Sequence, residues 1–274
     1  MMTRQNAIRR GAFFVLIAAL SLSFGSRQLC AQKREVGVAA AADLQFAMAD
    51  LAHQFEKATG DALRVTYGSS GNFFSQLQNG APFDLFFSAD IDYPKKLQSA
   101  GLAEPGSIFA YAVGRIVIWT PADSKLDVPN QNWNALLHPG VSKIAIANPG
   151  HAPYGRAAVA AMQAAGIYEK VKDRLVFGEN ISQAAQFVQS GNAQAGVIAL
   201  SLAVSPAMKD GKRWEIPADS YPAIEQAVVM LKNAKNKDAA RAFLEFVKSE
   251  PGRATLARYG FAIPTAGPSA APQP

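Results

Sequence analysis

Residues 62–80, ALRVTYGSSGNFFSQLQNG, contain the pattern that decides the fold of this chain. The first six residues alternate in character and include β-branched and aromatic side chains, which is typical of a β-strand. Residues 72–79 have the spacing of two helical turns, and Gly80 predicts the end of the helix. The turn at 68–71 (GSSG) therefore joins a strand to a helix, so its N–H groups and hydroxyls lie where the helix dipole is positive.

This turn is a candidate anion site, because free N–H groups at a helix start attract negative charge. The alternative is an ordinary tight turn in which a serine caps the helix. Both interpretations remain open at this point, and the rest of the chain has to decide between them.

The first part of the chain, residues 1–31, has the composition of a secretory signal peptide. Arginines at positions 4, 9 and 10 precede the apolar run 11–20, which is too short to span a bilayer. We expect cleavage after Ala31 and a soluble protein in the periplasm. Cleavage removes four arginines and no acidic residue, so the formal net charge of +6 falls to about +2. That loss removes the main argument for nucleic-acid binding, and no nucleic-acid partner is expected.

Two further expectations concern the ends of the mature chain. The only cysteine, Cys30, lies at the edge of the signal, so the exported protein should have neither a disulfide nor a thiol nucleophile. Residues 265–274 are rich in Pro, Ala and Gly and are predicted to be a disordered tail. A conventional hydrophobic core must therefore provide the stability.

The strand predicted at 36–42 (VGVAAAA) has no polar residue and suits the buried middle of a parallel sheet. It leads directly into Asp43, after which apolar side chains recur with helical spacing as far as Gly60. Together with the strands predicted at 62–67 and 83–90, these segments form three strand–helix units. Such units predict a doubly wound parallel sheet.

A second set of strand–helix units follows, with predicted strands at 143–147, 176–180 and 196–201. Two longer strands, at 111–120 and 223–231, bracket this block. The pattern predicts an α/β fold of two doubly wound lobes joined by two crossing hinge segments. The predicted domains are lobe I at 34–112 and 223–264, and lobe II at 113–222.

Four sequence pieces occur in a characteristic order: 38–44 (VAAAADL), 84–90 (DLFFSAD), 148–155 (NPGHAPYG) and 258–261 (RYGF). In this order, on an exported chain, they resemble the periplasmic molybdate-binding proteins of ABC transporters, within the type II periplasmic binding protein superfamily. The likeness extends from about Val36 to Ile263.

The resemblance implies that an oxyanion is enclosed between two lobes by neutral donors, chiefly hydroxyls and backbone amides at helix starts. Ser70 matches a hydroxyl-and-amide donor of that family, and Tyr154 and Ile181 match positions that offer backbone amides. The full set of predicted oxyanion-binding residues is Ala42, Asp43, Ser69, Ser70, Tyr154 and Ile181.

The resemblance also implies the ligand and the partner. The ligand is molybdate or tungstate, and the protein contacts its oxygens rather than the metal. No cofactor and no catalytic residue is expected. The partner is the membrane permease of an ABC transporter, which docks on both lobes of a monomeric binding protein.

Two residues depart from the family pattern. Asp43 stands where many members have a serine, and Ala199 stands where a tyrosine hydroxyl would reach the ligand. A carboxylate beside an anion is repulsive, by roughly 4 kcal/mol per unit charge pair at about 4 Å and an effective dielectric constant near 20. Asp43 must therefore either cap its own helix and offer only its N–H, or stay protonated and donate. We favour capping, because Asp prefers that position.

Other functions were weighed against oxyanion transport. Phosphate or sulfate could be the ligand in place of molybdate. Ferric iron is less well suited, because it would require clustered tyrosines and the tyrosines of this sequence are scattered. A serine hydrolase would need Ser69 or Ser70 with a base from His53, His138 or His151. The GSSG turn is one residue shorter than a nucleophile elbow, and we interpret His151 as a turn residue.

Overall fold

The computed structural model describes residues 34–264. The predicted signal peptide at 1–31, with Cys30, and the predicted tail at 265–274 lie outside the described residues. Among the described helices, none has both the length and the apolar character needed to cross a membrane.

The described residues form strands and helices in alternation. The strands are β1 (Glu35–Ala41), β2 (Ala62–Gly68), β3 (Leu85–Ser88), β4 (Phe109–Gly114), β5 (Ile116–Thr120), β6 (Ile144–Ala147), β7 (Leu175–Gly178), β8 (Ala195–Ala199), β9 (Lys212–Glu215) and β10 (Ile224–Met230). The α-helices are α1 (Gln45–Thr59), α2 (Ser70–Gln78), α3 (Asp92–Ser99), α4 (Val128–Gln131), α5 (Pro153–Ala164), α6 (Tyr168–Val171), α7 (Ile181–Gln189), α8 (Leu200–Ala203), α9 (Lys237–Lys248) and α10 (Glu250–Arg258). Short 3-10 turns occur at Ala42–Leu44, Asn132–Leu137, Lys172–Arg174 and Ala218–Ser220.

The first sheet has the order β2-β1-β3-β10-β4. β1 is parallel to β2 and β3, whereas β10 is antiparallel to both β3 and β4. This sheet and the helices α1–α3, α9 and α10 make up what we call the first lobe. β1 is an interior strand of this sheet, and its small-residue run after Glu35 is fully buried, as its composition predicts.

The second sheet has the order β7-β6-β8-β5-β9. β6 is parallel to β7 and β8, and β5 is antiparallel to β8 and β9. This sheet and the helices α4–α8 make up the second lobe. Two five-stranded α/β lobes confirm the predicted fold class.

The apolar run at 111–120, predicted as one long strand, is divided between the two sheets. β4 pairs with β10 in the first sheet, and β5 pairs with β8 and β9 in the second. The crossing occurs at Arg115, whose carbonyl accepts a hydrogen bond from the N–H of Leu200 at 2.9 Å. The run is apolar on both sides of Arg115, so it cannot show which partner each half pairs with. We now propose Arg115 as the boundary between the lobes instead of residue 112. The second crossing lies between β9 and β10.

Each lobe has its own hydrophobic core. In the first lobe, Phe55 of α1 packs edge-on against Phe243 of α9 with ring centroids 5.1 Å apart, and both are buried. In the second lobe, the whole of β5 is buried among α4, α5, α8 and the neighbouring strands. These cores hold the carboxyl ends of the parallel strands in fixed positions, and helices begin there.

Candidate functional site

A small buried cavity lies between the two lobes, at the carboxyl ends of β1, β2, β6 and β7. The space between its lining atoms is about 200 Å³, of which about 10 Å³ is open to the centre of a water-sized molecule. All six predicted site residues line it. The lining residues are Ala41, Ala42, Asp43, Gly68, Ser69, Ser70, Ala89, Ala152, Pro153, Tyr154, Asn180 and Ile181.

Three of the predicted donors stand at the starts of helices. Ser70 is the first residue of α2, Tyr154 is the second residue of α5, and Ile181 is the first residue of α7. N–H groups in a first helical turn have no carbonyl partner within the helix, and the aligned peptide dipoles make the potential there positive. The cavity is therefore surrounded by groups suited to a negative charge.

Ser70 is completely buried and has a hydrogen to give. Its Oγ accepts a hydrogen bond from the N–H of Ala89 at 2.9 Å. Because that bond uses a lone pair of the oxygen, the hydroxyl hydrogen remains available to a group in the cavity. Ser70 can thus offer both its O–H and its N–H.

Ser69 lines the same cavity, but its hydroxyl is already engaged. Its Oγ caps α2 by accepting the N–H of Asn72 at 3.3 Å, and it lies 2.9 Å from Nδ1 of His151. The two interpretations of the GSSG turn therefore apply to different residues. Ser69 is the helix cap, and Ser70 is the residue with a free hydroxyl hydrogen.

His151, which we predicted to be only a turn residue, links the two lobes. Besides the contact with Ser69, its carbonyl accepts the N–H of Gly71 at 3.0 Å, and its Nε2 lies 3.5 Å from a carboxylate oxygen of Glu179. His151 lies in a turn and does not line the cavity, as we interpreted it, and it also contacts the other lobe because the loop before α5 lies over the start of α2. Sequence spacing gives no signal for this contact between lobes.

The arrangement of Ser69, His151 and Glu179 superficially resembles a hydrolase relay. Ser69, however, is 5% exposed and its oxygen is occupied as a helix cap, so it has no free approach to a substrate. The other two candidate bases, His53 and His138, are exposed and do not line the cavity.

Asp43 does not cap its helix, so the interpretation that we favoured is wrong. The 3-10 turn at Ala42–Leu44 and α1 both begin without a side-chain cap. The carboxylate instead accepts two hydrogen bonds at Oδ2, from the hydroxyl of Tyr154 at 2.8 Å and from Nε2 of Gln226 at 2.6 Å. These buried partners come from other elements, and the local sequence does not reveal them.

The buried position of Asp43 changes its acidity. Burial raises the pKa of the carboxyl group to about 6, against the hydrogen bonds from Gln226 and Tyr154, which lower it. The backbone N–H groups of Asp43 and Leu44 lie near enough to lower the pKa further. No donor meets Oδ1 with hydrogen-bond geometry, so this buried oxygen has no partner among the described residues.

Sequence reasoning missed two members of this polar network, Gln226 and Tyr111. Gln226 is fully buried on β10 and also donates to the hydroxyl of Tyr154 at 3.0 Å, while the hydroxyl of Tyr111 donates to Oε1 of Gln226 at 2.7 Å. Burial and the charge of Asp43 raise the pKa of both tyrosines well above the usual range, so both stay protonated. The signal that could have revealed the network was a glutamine on the buried face of β10, a strand whose remaining polar residue, Glu225, is exposed.

Backbone carbonyls near the cavity are fixed by serines of the second lobe. Ser182 Oγ donates to the carbonyl of Ala42 at 2.9 Å, and Ser201 Oγ donates to the carbonyl of Asp43 at 2.8 Å. These bonds hold the start of α1 against the second lobe. The N–H groups of Ala42 and Asp43 are thereby kept beside the cavity.

Ala199 is buried at the end of β8 and is not one of the residues that line the cavity. The hydroxyl of Tyr154 also does not reach out as a free donor, because it is bonded to Asp43 and Gln226. Tyr154 is therefore left with its backbone N–H for a ligand, as the resemblance implied.

The cavity has no cationic side chain: the described residues that line it include neither Lys nor Arg. Within 34–264, no group of three or more His, Cys, Asp or Glu side chains could hold a metal ion. The arrangement can enclose a small anion through neutral hydrogen-bond donors.

Comparison with known proteins gives consistent matches over nearly the whole described chain. Residues 36–262 match the family of bacterial extracellular solute-binding proteins. The chain is 40% identical over 250 residues to the molybdate-binding protein ModA of Azotobacter vinelandii, covering 89% of this chain and 96% of that protein. It is 38% identical over 256 residues to the molybdate-binding protein ModA of Rhodobacter capsulatus, covering 93% and 97%.

A solved structure gives the same result. The periplasmic molybdate-binding protein of Azotobacter vinelandii superposes with a TM-score of 0.79 at 36% identity, covering 84% of this chain and 100% of that chain. These relatives are binding proteins and not enzymes.

Proposed function

This chain belongs to the bacterial extracellular solute-binding proteins, and we propose that it captures molybdate, and tungstate with it, for an ABC importer. The observation that carries the proposal is the cavity, where uncharged donors from both lobes surround a space without Lys or Arg. A small dianion with acceptor oxygens on every side suits such a set of donors. The relatives described as molybdate-binding proteins support this choice of ligand.

The proposed donors are the hydroxyl and N–H of Ser70 together with the N–H groups at the other helix starts. Those N–H groups belong to Ala42, Asp43, Tyr154 and Ile181, and we place Ser69 at the cavity wall as the cap that orients α2. Hydrogen bonds to a charged group contribute about 1.5–3 kcal/mol each. Five such bonds can offset desolvation and leave the roughly 8 kcal/mol that micromolar affinity requires.

Closure of the two lobes is part of the proposed mechanism. Direct contacts already join them around the cavity, including the ion pair between Arg156 and Asp90 at 2.5 Å and the bonds made by Ser182 and Ser201. A closed cavity excludes water, which strengthens each hydrogen bond to the anion. We propose that the lobes open to admit the anion and close over it.

The proposed place of action is the periplasm, where the protein would hand its ligand to a membrane permease that contacts both lobes. The predicted signal peptide supports export, and the described helices include none that could span a membrane. We keep a monomer as the expected state of the binding protein.

A titration with four anions tests the function. Purified protein is titrated calorimetrically with molybdate, tungstate, sulfate and phosphate, and we expect tight binding of the first two only. Phosphate is the competing ligand to watch, because a protonated phosphate could donate to the unpartnered Oδ1 of Asp43. Tighter binding of phosphate or sulfate than of molybdate would overturn the assignment.

The variant Ser70→Ala tests the proposed site. It removes one donor to the anion and leaves the N–H of Ala89 without its acceptor, so we expect affinity to fall roughly 10- to 150-fold. Ser75→Ala, an exposed serine on the same helix, is the matched control and should bind as the unchanged protein does. Equal affinities for the two variants would exclude Ser70 from the site.

A further inference from the structure

The two oxygens of the Asp43 carboxyl group have different surroundings. Oδ2 receives both hydrogen bonds, from Tyr154 and Gln226. Oδ1 is buried and no donor among residues 34–264 meets it. An unpartnered carboxylate oxygen in a buried site needs an explanation, because such a group has lost its hydration without replacement.

This asymmetry determines where a proton can bind. A hydrogen on Oδ2 would face the hydrogens that Tyr154 and Gln226 already direct at that atom. Oδ1 has no such conflict, and Asp43 lines the cavity. A protonated Asp43 therefore has a new O–H donor on its free oxygen, in a residue that lines the cavity.

We propose that Asp43 takes up one proton from solvent when an oxyanion enters the cavity, and donates it from Oδ1 as a hydrogen bond to an anion oxygen. The inference rests on the proposed function, because it requires an anion in this cavity. The anion keeps its charge and all its bonds, and the only change is a carboxylate that becomes a carboxylic acid.

The groups around Asp43 offer no other way to neutralise its charge. The titratable groups that face it are the hydroxyls of Tyr154 on α5 and Tyr111 on β4, both of which stay protonated. Gln226 on β10 and Ser201 on α8 are neutral. Since the described cavity lining includes no cation, a bound anion would repel an ionised Asp43, and one proton converts that repulsion into attraction.

The direction of the pH effect follows from proton linkage. Burial raises the pKa of Asp43 to about 6 in the ligand-free protein, so above pH 6 the carboxyl group is mostly ionised. A neighbouring anion raises the pKa further, so the complex holds one more proton than the free protein. Affinity must then fall as pH rises above 6, by up to about tenfold per pH unit, and level off below pH 6.

Calorimetry measures both consequences. The purified protein is titrated with sodium molybdate at pH 6, 7 and 8, and at pH 7.5 in buffers of different ionisation enthalpy. We expect uptake of nearly one proton per anion at pH 7.5, and a Kd roughly 20- to 50-fold weaker at pH 8 than at pH 6.

Two variants identify the group that takes up the proton. Asp43→Asn has an amide N–H available in place of the acid O–H, so it should bind without proton uptake and with a Kd that changes less than about twofold from pH 6 to 8. His151→Asn removes the nearby imidazole and should keep the proton uptake and the pH slope.

The possible failures are distinguishable. Molybdate binding by the unchanged protein without proton uptake and with a constant Kd would overturn this inference and leave the proposed function intact. Loss of the uptake in His151→Asn but not in Asp43→Asn would also overturn it. Absence of binding of both molybdate and tungstate at every pH would overturn the function and the inference together.

Discussion

The corner after β1 and the corner after β2 follow different rules, although both pass from a buried parallel strand into a helix. After β2, Ser69 caps α2 by accepting the N–H of Asn72, as residue type and position predict. After β1, Asp43 is equally suited to cap a helix, but its carboxylate leaves the backbone for Tyr154 and Gln226.

The difference teaches when a local preference decides the outcome. A helix cap contributes about 0.5–2 kcal/mol, whereas each hydrogen bond to a charged group contributes about 1.5–3 kcal/mol. Asp43 has two such bonds in a buried position, so partners from other elements outweigh the cap. The hydroxyl of Ser69 caps α2 and contacts His151 at the same time, so the cap does not compete with the contact to the other lobe.

The largest expected effect concerns Asp43 and the stability of the ligand-free protein. Because its pKa is about 6 when folded and 3.8 ordinarily, the folded state binds the proton more tightly. Proton binding by Asp43 therefore stabilises the folded protein. This stabilisation is fully present below pH 3.8 and is lost as pH rises through 6. From pH 4 to pH 8, Asp43→Asn should therefore gain about 2.5 kcal/mol of unfolding free energy relative to the unchanged protein.

Urea unfolding at the two pH values measures this difference. Asp123→Asn removes a carboxylate from an exposed loop and should show no comparable gain. If the free energy of unfolding depended on pH equally in Asp43→Asn and in the unchanged protein, the pKa of Asp43 would not be raised by folding. The contrast between the two corners would then lose its basis.

The next largest effect is expected for Gly71→Ala, in the corner after β2, and it concerns molybdate affinity. A Cβ there would lie 2.6 Å from the carbonyl oxygen of His151, on the opposite lobe. A Cβ there would also lie 2.9 Å from the hydroxyl of Tyr93 in the first lobe, at the end of a side chain that can shift. Alanine favours the helix itself by up to about 1 kcal/mol, so the first lobe should lose little stability in Gly71→Ala. Overpacking of about 1–3 kcal/mol should instead oppose closure and weaken molybdate binding roughly 5- to 150-fold.

Small-angle scattering with saturating molybdate shows whether closure is the step affected. Gly71→Ala should stay more extended than the unchanged protein, while the neighbouring exposed variant Asn72→Ala should compact normally. Full compaction and unchanged affinity in Gly71→Ala would show that the contact with His151 can be relieved without cost.

The smallest effect separates the two adjacent serines. Ser69→Ala removes the cap of α2 and should lower the free energy of unfolding by about 1 kcal/mol. Its effect on affinity should be smaller than that of Ser70→Ala, because the Ser69 hydroxyl is already engaged with Asn72 and His151. A larger loss of affinity in Ser69→Ala would reverse the roles that we assign to them.

The parts of the fold that could be predicted from sequence are those set by local patterns. The buried run at β1 and the start of α7 at Ile181 follow from composition and helical spacing, and the structure has both. The division at Arg115 could not be predicted, because both halves of the 111–120 run are apolar and only pairing partners distinguish them.

The site shows the same limit. The convergence of Ser70, Tyr154 and Ile181 is predictable from the rule that helices begin at the carboxyl ends of parallel strands. The hydrogen bond between Asp43 and Gln226 is not predictable in this way, because the two residues are 183 positions apart in the sequence and come together only in the folded protein. That contact depends on tertiary packing, which no local spacing encodes.

The position of β10 between β3 and β4 has a consequence for how the molecule assembles. All the strands of the second sheet, β5–β9, lie between β4 and β10 in the sequence. The first sheet is therefore incomplete until β10 has been synthesised and has paired with β3 and β4. Pairings over such sequence distances form slowly. We therefore expect the contact between Gln226 and Asp43 to form late, so that a newly made chain acquires its cavity near the end of folding.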